Sequence, residues 1–417
     1  MAGKLRIRSI DEGDFRGKRV LLRVDINSPV DKRTRRIVND NRIRKSVPTI
    51  RELSDRGARL VLMSHQGDTT DYASLISLRE HAGLLSQALG KPVEFIEDIA
   101  GPAAVERIDN LKDGEILLLD NLRYFTEEVS TFEDSVKQRP EEMGDVYFVR
   151  RLLPLFDCYV NDAFSASHRN APSMVAFQEA LPSYGGRLLI EELEALQAIT
   201  ENPARPCVYM LGGSRAGDAF GMIHRVLSDD AADSILTSGL VGQIFMLADG
   251  LKPGEASEKL IRDRGYGRYV EEAVGYLSAY RDTIIYPRDV AFQKGGKREE
   301  AGTGSFPLEA MIFDIGERTI RTYIGILSEA KTIFVNGPPG VYEEEISSLG
   351  TRKLWKAVEQ AEGFTVVGGG DTVTSFTQFT DTSRLDYMST AGGALIRYLS
   401  GVKLPLIEAM NRAYDRV

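Results

Sequence analysis

Cysteine is almost absent. Cys158 and Cys207 are the only two in 417 residues, far apart and without CxxC spacing, which argues against a disulfide-stapled secreted scaffold and a structural zinc site. No uncharged apolar run approaches about 18 residues, and "MAGKLRIRSIDEGD" at the start has no apolar segment, so neither a membrane span nor a signal peptide is expected. The expected location is the cytoplasm. Positive charge is in deficit, with 52 Lys and Arg against 61 Asp and Glu, a net −9 and a pI near 5.3. Neither nucleic acid nor an anionic membrane is therefore an expected partner, and any anionic ligand must be met by locally placed cations. Two motifs are also missing. The lack of GxxxxGK[ST] excludes an ordinary P-loop, and the lack of GxGxxG counts against a dinucleotide-dependent dehydrogenase.

What is present is a repeated alternation of short Val/Ile/Leu runs with longer stretches of helical periodicity. Each run stops abruptly in a polar or glycine-rich loop, which is the pattern of parallel strands covered by helices. In the first half the runs lie in "VLLRVDINSPV", "RLVLMSHQGD", "EILLLDNLRYF" and "CYVNDAFSASHR"; in the second, in "PCVYMLGGSR", "DSILTSGLVG", "TIFVNGPPGVYE" and "FTVVGGGDT". First-half loops carry Arg, His, Asp and Asn, whereas second-half loops carry glycine. Ligands of open parallel sheets bind at the carboxyl ends of strands, so two chemically distinct loop sets imply two sheets and two ligands. The fold class expected is α/β, with two doubly wound parallel-sheet domains joined by a helix. That helix is "LLIEELEALQAIT", whose Leu189, Leu193, Leu196 and Ile199 form one apolar stripe. The polar stretch 292–305 reads as a mobile surface loop, and "TEEVSTFEDSVKQRPEEMG" as a solvated acidic segment.

The glycine loops have a physical use. Ordering three adjacent glycines is costly, which is reasonable where something must approach the backbone. In "FTVVGGGDT", Gly368, Gly369 and Gly370 follow a strand, so backbone N–H groups and a helix start can meet phosphate oxygens. Asp371 and Thr372 then sit at the helix N-terminus, where the aspartate either caps the helix or reaches a nucleotide-bound Mg2+. Further loops contain Gly212, Gly213, Gly239 and Gly337 to Gly340. The complement lies in the first half, where Arg23, Arg42, His65, Arg123, His168 and Arg169 mostly flank strand ends and could hold a small polyanion. Asp25 and Asn27 suit hydroxyl groups, so a hydroxylated phospho-acid would use both kinds of group.

Nine segments in order, "RVDINSPV", "DNRIRKSVPTI", "SHQGD", "DNLRYF", "VNDAFSASHR", "LGGSRAGD", "VNGPPGVYE", "VGGGDT" and "STAGGALIRYLSGVKLP", together resemble phosphoglycerate kinase of the archaeal type, collinearly from about residue 5 to the end. The resemblance implies a Rossmann-like hinge enzyme that moves a phosphoryl group between 1,3-bisphosphoglycerate/ADP and 3-phosphoglycerate/ATP with Mg2+. It implies a triose domain over 1–187, an interdomain helix over 188–200, a nucleotide domain over 201–400 and a tail over 401–417 that packs back on the first domain. A monomer is expected. Asp25 and Asn27 would meet the hydroxyl and carboxylate end, while His65, Arg123 and Arg169, with Gln66 and Gly67 of the histidine's loop, would lie toward the 3-phosphate. Arg42 matches the family's catalytic arginine. Gly212, Gly213, Arg215 and Gly239 would lie near adenine and phosphates, Asn336 and Glu343 near phosphates and ribose, and Gly368 to Thr372 around the phosphates, with Asp371 on the metal.

Three positions depart from the usual pattern. Arg215 and Ala219 stand where lysines are usual, and Asp68 stands where an arginine is usual. Arg215 is expected to serve as the mobile cation, as a second catalytic residue. These departures define the alternatives: a catalytically weak nucleotide-binding regulatory protein of the same fold, or a kinase for a related phospho-acid.

Overall fold

The structure, a computed structural model, describes residues 6–416. It divides into two compact units, one running to Glu194 and resuming at Lys403, the other spanning Ala195–Val402. The division falls inside the helix Arg187–Thr200.

The N-terminal unit holds β1 (Arg19–Val24), β2 (Arg59–Met63), β3 (Glu94–Phe95), β4 (Ile116–Leu118), β5 (Cys158–Asp162) and β6 (Ser183–Gly185). They form one parallel sheet in the order β3-β4-β2-β1-β5-β6. The C-terminal unit holds β7 (Cys207–Leu211), β8 (Ser234–Thr237), β9 (Ile284–Ile285), β10 (Asp289–Lys294), β11 (Lys297–Gly302), β12 (Ile312–Ile315), β13 (Thr332–Asn336), β14 (Phe364–Gly368) and β15 (Tyr387–Met388). Its main sheet is parallel, in the order β15-β14-β13-β7-β8-β9. All eight apolar runs read from the sequence are strands of these two sheets. They show little alternation because helices cover both faces: β5 and β7 are buried at every residue.

Strand order fixes where ligands can bind. In the first sheet the chain leaves β1 toward β2 on one side and later reaches β5 on the other; in the second it leaves β7 toward β8 and returns to β13. Each reversal opens a crevice at the carboxyl ends of the adjacent strands. The loops after β1 and β5 therefore border the first crevice, and the loops after β7 and β13 border the second.

One sequence expectation is corrected. The stretch 292–305 is not a mobile loop: β10 and β11 form an antiparallel hairpin, paired also with β12. Its turn residues Gly295 and Gly296 have φ of 56° and 75°, the two positive values a tight two-residue hairpin requires. The sequence looked loop-like because β11 has no fully buried residue. The acidic segment is largely solvated, as expected, but it is structured, with 3-10 turns at Thr126–Glu128 and Pro140–Asp145 flanking the helix Ser130–Val136. Its Glu128 is only 3% exposed, because buried cations need buried counter-charges.

The C-terminal helix Pro405–Asp415 belongs to the N-terminal unit. It buries Leu406, Ala409, Met410 and Ala413, and Arg412 and Arg416 both donate to the Glu179 carboxylate. Leu406 N–H donates to Ser167 O at 3.2 Å, tying the tail to the loop that carries Arg169.

Candidate active site

The first crevice is built on Arg23, the fifth residue of β1. Its guanidinium is 2% exposed and is held by Ser173 Oγ at 3.2 Å and by Val24 O. Its Nη2 lies 2.9 Å from His65 Nδ1. Arg23 is therefore a buried support, not a surface cation. Because a guanidinium can only donate, His65 Nδ1 accepts and the ring proton sits on Nε2. Burial first, then the neighbouring Arg23, holds the His65 pKa well below its ordinary value despite the opposing Asp25. The ring is a neutral donor. Glu128 backs Ser173, accepting from its N–H and its hydroxyl at 2.7 Å each.

Asp25 follows β1 and is 5% exposed. Its Oδ2 accepts from Arg42 Nη1 at 2.7 Å and from Ser165 Oγ. Burial pushes this carboxyl up, but the Arg42 charge, the Ser165 hydroxyl and the nearby Arg23 outweigh burial and hold it below the ordinary value. Arg42 is the second residue of the helix Asn41–Asp55 and its side chain is 35% exposed. Asn27 Oδ1 accepts from Gly67 N–H at 3.0 Å, and position 67 needs glycine, since its φ is +74° and a Cβ there would lie 2.3 Å from Ser74 O. Gln66 is occupied throughout: its carbonyl accepts from Ser28 N–H and lies 3.1 Å from His81 Nε2, and its amide donates to Ser28 O and Ser74 O. It shapes the loop and has no free side-chain donor.

Two arginines close the crevice. Arg123 is 9% exposed; its Nη1 is buried without a hydrogen-bond partner, and the Asp68 carboxylate stands 3.8 Å away. Arg169 donates from Nε to Glu133 Oε2 at 2.6 Å, while its Nη2 is buried and unpartnered. A buried donor without an acceptor costs free energy unless a ligand supplies one. The pair matches an anionic group such as a phosphate.

The second crevice is built from glycine. A Cβ at Gly212 would stand 2.8 Å from Gly337 O, one at Gly239 2.8 Å from Gly213 N, and one at Gly337 2.2 Å from Gly212 O. Three strand-end loops are thus packed backbone against backbone. Gly369 adopts φ +93° beside Asn336, whose Nδ2 donates to Gly368 O at 2.9 Å. Thr372 Oγ1 accepts from Gly337 N–H at 2.8 Å, so its hydroxyl holds the loop. Gly370 differs from these. A Cβ there would meet nothing within 4 Å, so no internal packing explains the glycine at the start of the helix Gly370–Phe379.

Two cavities flank this glycine cluster. One, of about 300 Å³, is bordered by Leu240, Pro287, Met311, Val341 and Glu343, an apolar slot with a carboxylate at its margin. The other, of about 290 Å³, is bordered by Arg215, Asp218, Asn336, Gly370, Thr372 and Arg397. Gly213, Ser214, Pro338 and Asp371 border both. An apolar slot continuing into a glycine-lined, charged slot matches a nucleoside followed by its phosphates. No group of three or more His, Cys, Asp or Glu that could hold a metal occurs among the described residues. Asp371 is exposed at the junction and its carboxylate makes no hydrogen bond or ion pair among the described residues. A single carboxylate supplemented by phosphates and water is a setting that Mg2+ accepts.

The family model described as phosphoglycerate kinase matches residues 10–402. The chain belongs to the phosphoglycerate kinase family. Among curated relatives, the phosphoglycerate kinase of Methanothermobacter thermautotrophicus is 40% identical over 410 residues, covering 98% of this chain and 97% of that one. That of Thermococcus kodakarensis is 40% identical over 413 residues, covering 98% of each. The crystal structure of phosphoglycerate kinase from Pyrococcus horikoshii superimposes with a TM-score of 0.86 at 35% identity, over 99% of this chain and 100% of that one. The structure from Coxiella burnetii gives 0.83 at 28% identity, with the same coverage.

Within this phosphoglycerate kinase fold, Arg42, Asp25, Asn27, His65, Gly67, Arg123 and Arg169 gather in the N-terminal unit. The nucleotide-site candidates gather in the C-terminal one. Sequence reasoning missed Ser165, Glu128 and Glu133 as partners of the first set, and Asp218 and Arg397 beside the second. Only helix register could have pointed to Arg397, because it lies on a helix face and not at a strand end.

Proposed function

We propose that the protein is a phosphoglycerate kinase that reversibly transfers a phosphoryl group between 1,3-bisphosphoglycerate/ADP and 3-phosphoglycerate/ATP, as a cytoplasmic monomer. The observation that carries the substrate assignment is the pair of unpartnered buried nitrogens, Arg123 Nη1 and Arg169 Nη2, on the same crevice as Asp25 and Asn27. The N-terminal unit binds the triose and the C-terminal unit the nucleotide. Arg123, Arg169 and the Nε2–H of neutral His65 hold the 3-phosphate, while Asp25 and Asn27 address the hydroxyl and carboxylate end. Gly67 keeps the loop close to the ligand, and Gln66 fixes that loop.

The acceptor carboxylate has an ordinary pKa near 4 and is ionised at neutral pH, so the reaction needs no general base. What the chain must provide is position and positive charge. Arg42, poised on Asp25, meets the reacting carboxylate and the phosphoryl group. On the nucleotide side, backbone N–H groups around Gly212, Gly213, Gly239 and Gly368 to Gly370 cradle phosphates, Thr372 and Asn336 brace them, and Glu343 addresses the ribose. Arg215, exposed and without an ion pair among the described residues, follows the transferring phosphoryl group. Asp371 is the residue that would hold Mg2+, which when bound neutralises phosphate charge.

Phosphorus NMR tests the reaction class directly. With Mg2+, ATP and 3-phosphoglycerate, the protein is expected to produce ADP and an acyl-phosphate resonance, and neither when 3-phosphoglycerate is omitted. ADP formed equally without the acid would contradict the assignment.

A further inference from the structure

The phosphate-side cavity has only two cationic side chains, Arg215 and Arg397, against two carboxylates, Asp218 and Asp371. Without Arg397 its lining would be net negative, an unfavourable place for a polyphosphate. The helix Ala216–Ser228 has no cation in its first two turns: Ala216, Ala219 and Phe220 are buried there, and Asp218 is acidic. A second positive charge must therefore come from another element.

The helix Gly393–Leu399 supplies it. Both helices begin at the cavity, which Arg215 and Gly393 border. They run side by side in the same direction, for a Cβ at Gly221 would lie 2.7 Å from Ser400 Oγ, and one at Gly401 2.8 Å from Arg225 Nη1. That register sets Arg397, three residues before Ser400, level with Asp218, three residues before Gly221. Arg397 is exposed and has no ion pair or side-chain hydrogen bond among the described residues. Like Arg215, it therefore presents an unengaged guanidinium to the cavity that both residues border.

The two cavities also order the ligand. Gly213, Ser214, Pro338 and Asp371 are common to both, whereas Arg397 borders only the phosphate-side cavity. Measured from the nucleoside slot, Arg397 lies beyond the shared residues. We propose that Arg397 contacts the terminal phosphate of the bound nucleoside triphosphate, acting with Arg215 as a second phosphate-holding cation. This rests on the nucleotide assignment of the preceding section.

The test is calorimetric titration of the full-length protein with Mg2+-AMP-PNP and, separately, Mg2+-ADP, for wild type, Arg397→Ala and Arg397→Lys. Loss of a charged hydrogen bond to the terminal phosphate is expected to weaken AMP-PNP about tenfold or more in Arg397→Ala, with ADP changed less than about threefold. Arg397→Lys should recover part of the loss, because it restores charge without the planar fork. Thermal unfolding of ligand-free Arg397→Ala should match wild type, since the side chain is exposed. Equal affinities in wild type and Arg397→Ala, or equal weakening of both nucleotides, would overturn the proposal. Failure of wild type to bind either nucleotide would overturn the nucleotide assignment itself, and the proposal with it.

Discussion

Arg169 holds one nitrogen against Glu133 and leaves another unpartnered. In the proposed binding mode, a phosphate arriving at this guanidinium would compete with a carboxylate the chain itself provides. Glu133→Gln keeps an acceptor for the Asn170 N–H, now 2.6 Å from Glu133 Oε1, but removes the competing charge. Initial-rate kinetics should show KM for 3-phosphoglycerate lowered by about threefold, with kcat little changed. A raised KM would contradict the competition. The sequence made the arginines legible as cations; it could not tell that Arg23 is buried as a support or that Glu133 faces Arg169, because these pairings span distant parts of the chain.

Asp162 shows a titration with the opposite sign from most carboxylates. Burial raises its pKa from 3.8 to about 6 against the hydrogen bonds from Thr49 and Leu189 N–H, and its Oδ2 has no partner. A raised folded-state pKa means that the native state binds the proton more tightly, so the stability contributed is present below pH 3.8 and lost as pH rises through about 6. His81 works against this: burial lowers its pKa from 6.5 to about 4, so its contribution is present above 6.5 and lost as pH falls. Wild-type profiles therefore partly cancel. The difference between Asp162→Asn and wild type does not. Denaturant unfolding between about pH 4 and pH 6 should show the variant gaining on wild type as pH rises, by up to about 3 kcal/mol. Parallel profiles would contradict it.

At the scale of elements, strand-end glycines fall into two classes that the sequence writes identically. Gly337 has φ +92° and a would-be Cβ 2.2 Å from Gly212 O, while Gly370 faces open space. Gly337→Ala is expected to destabilise the C-terminal unit by a few kcal/mol, through both strain and overlap. Gly370→Ala should leave thermal unfolding unchanged and weaken ADP binding, because the added methyl would stand in the proposed phosphate site at the helix start. Loss of stability in Gly370→Ala with unaltered ADP binding would contradict this division. The same scale explains what pattern reading missed. The hairpin β10/β11 has polar residues on an exposed strand, so hydrophobic alternation was absent and only the Gly295–Gly296 pair marked its turn. Apolar runs buried on both faces, by contrast, were fully legible as strands.

At the scale of the molecule, the two sheets and the sorting of cationic from glycine-rich loops were readable in advance, because strand-run composition and loop chemistry are local. The route of residues 403–416 back onto the N-terminal unit rests on side-chain fit. Met410 is 1% exposed, and Met410→Ala should lower stability by about 2–5 kcal/mol in equilibrium unfolding; an unchanged midpoint would mean that the tail contributes nothing.

The proposed function requires the crevice of Arg42, Arg123 and Arg169 to hold the acid to which the nucleotide's phosphoryl group is transferred. Its most direct test is the rate of ADP release from Mg2+-ATP with and without 3-phosphoglycerate, with the acyl phosphate removed as it forms, in wild type and Arg42→Ala. Turnover is expected to depend on 3-phosphoglycerate and to fall by about 10^2 to 10^3 in Arg42→Ala. Wild-type turnover independent of the acid, or undiminished in Arg42→Ala, would contradict it.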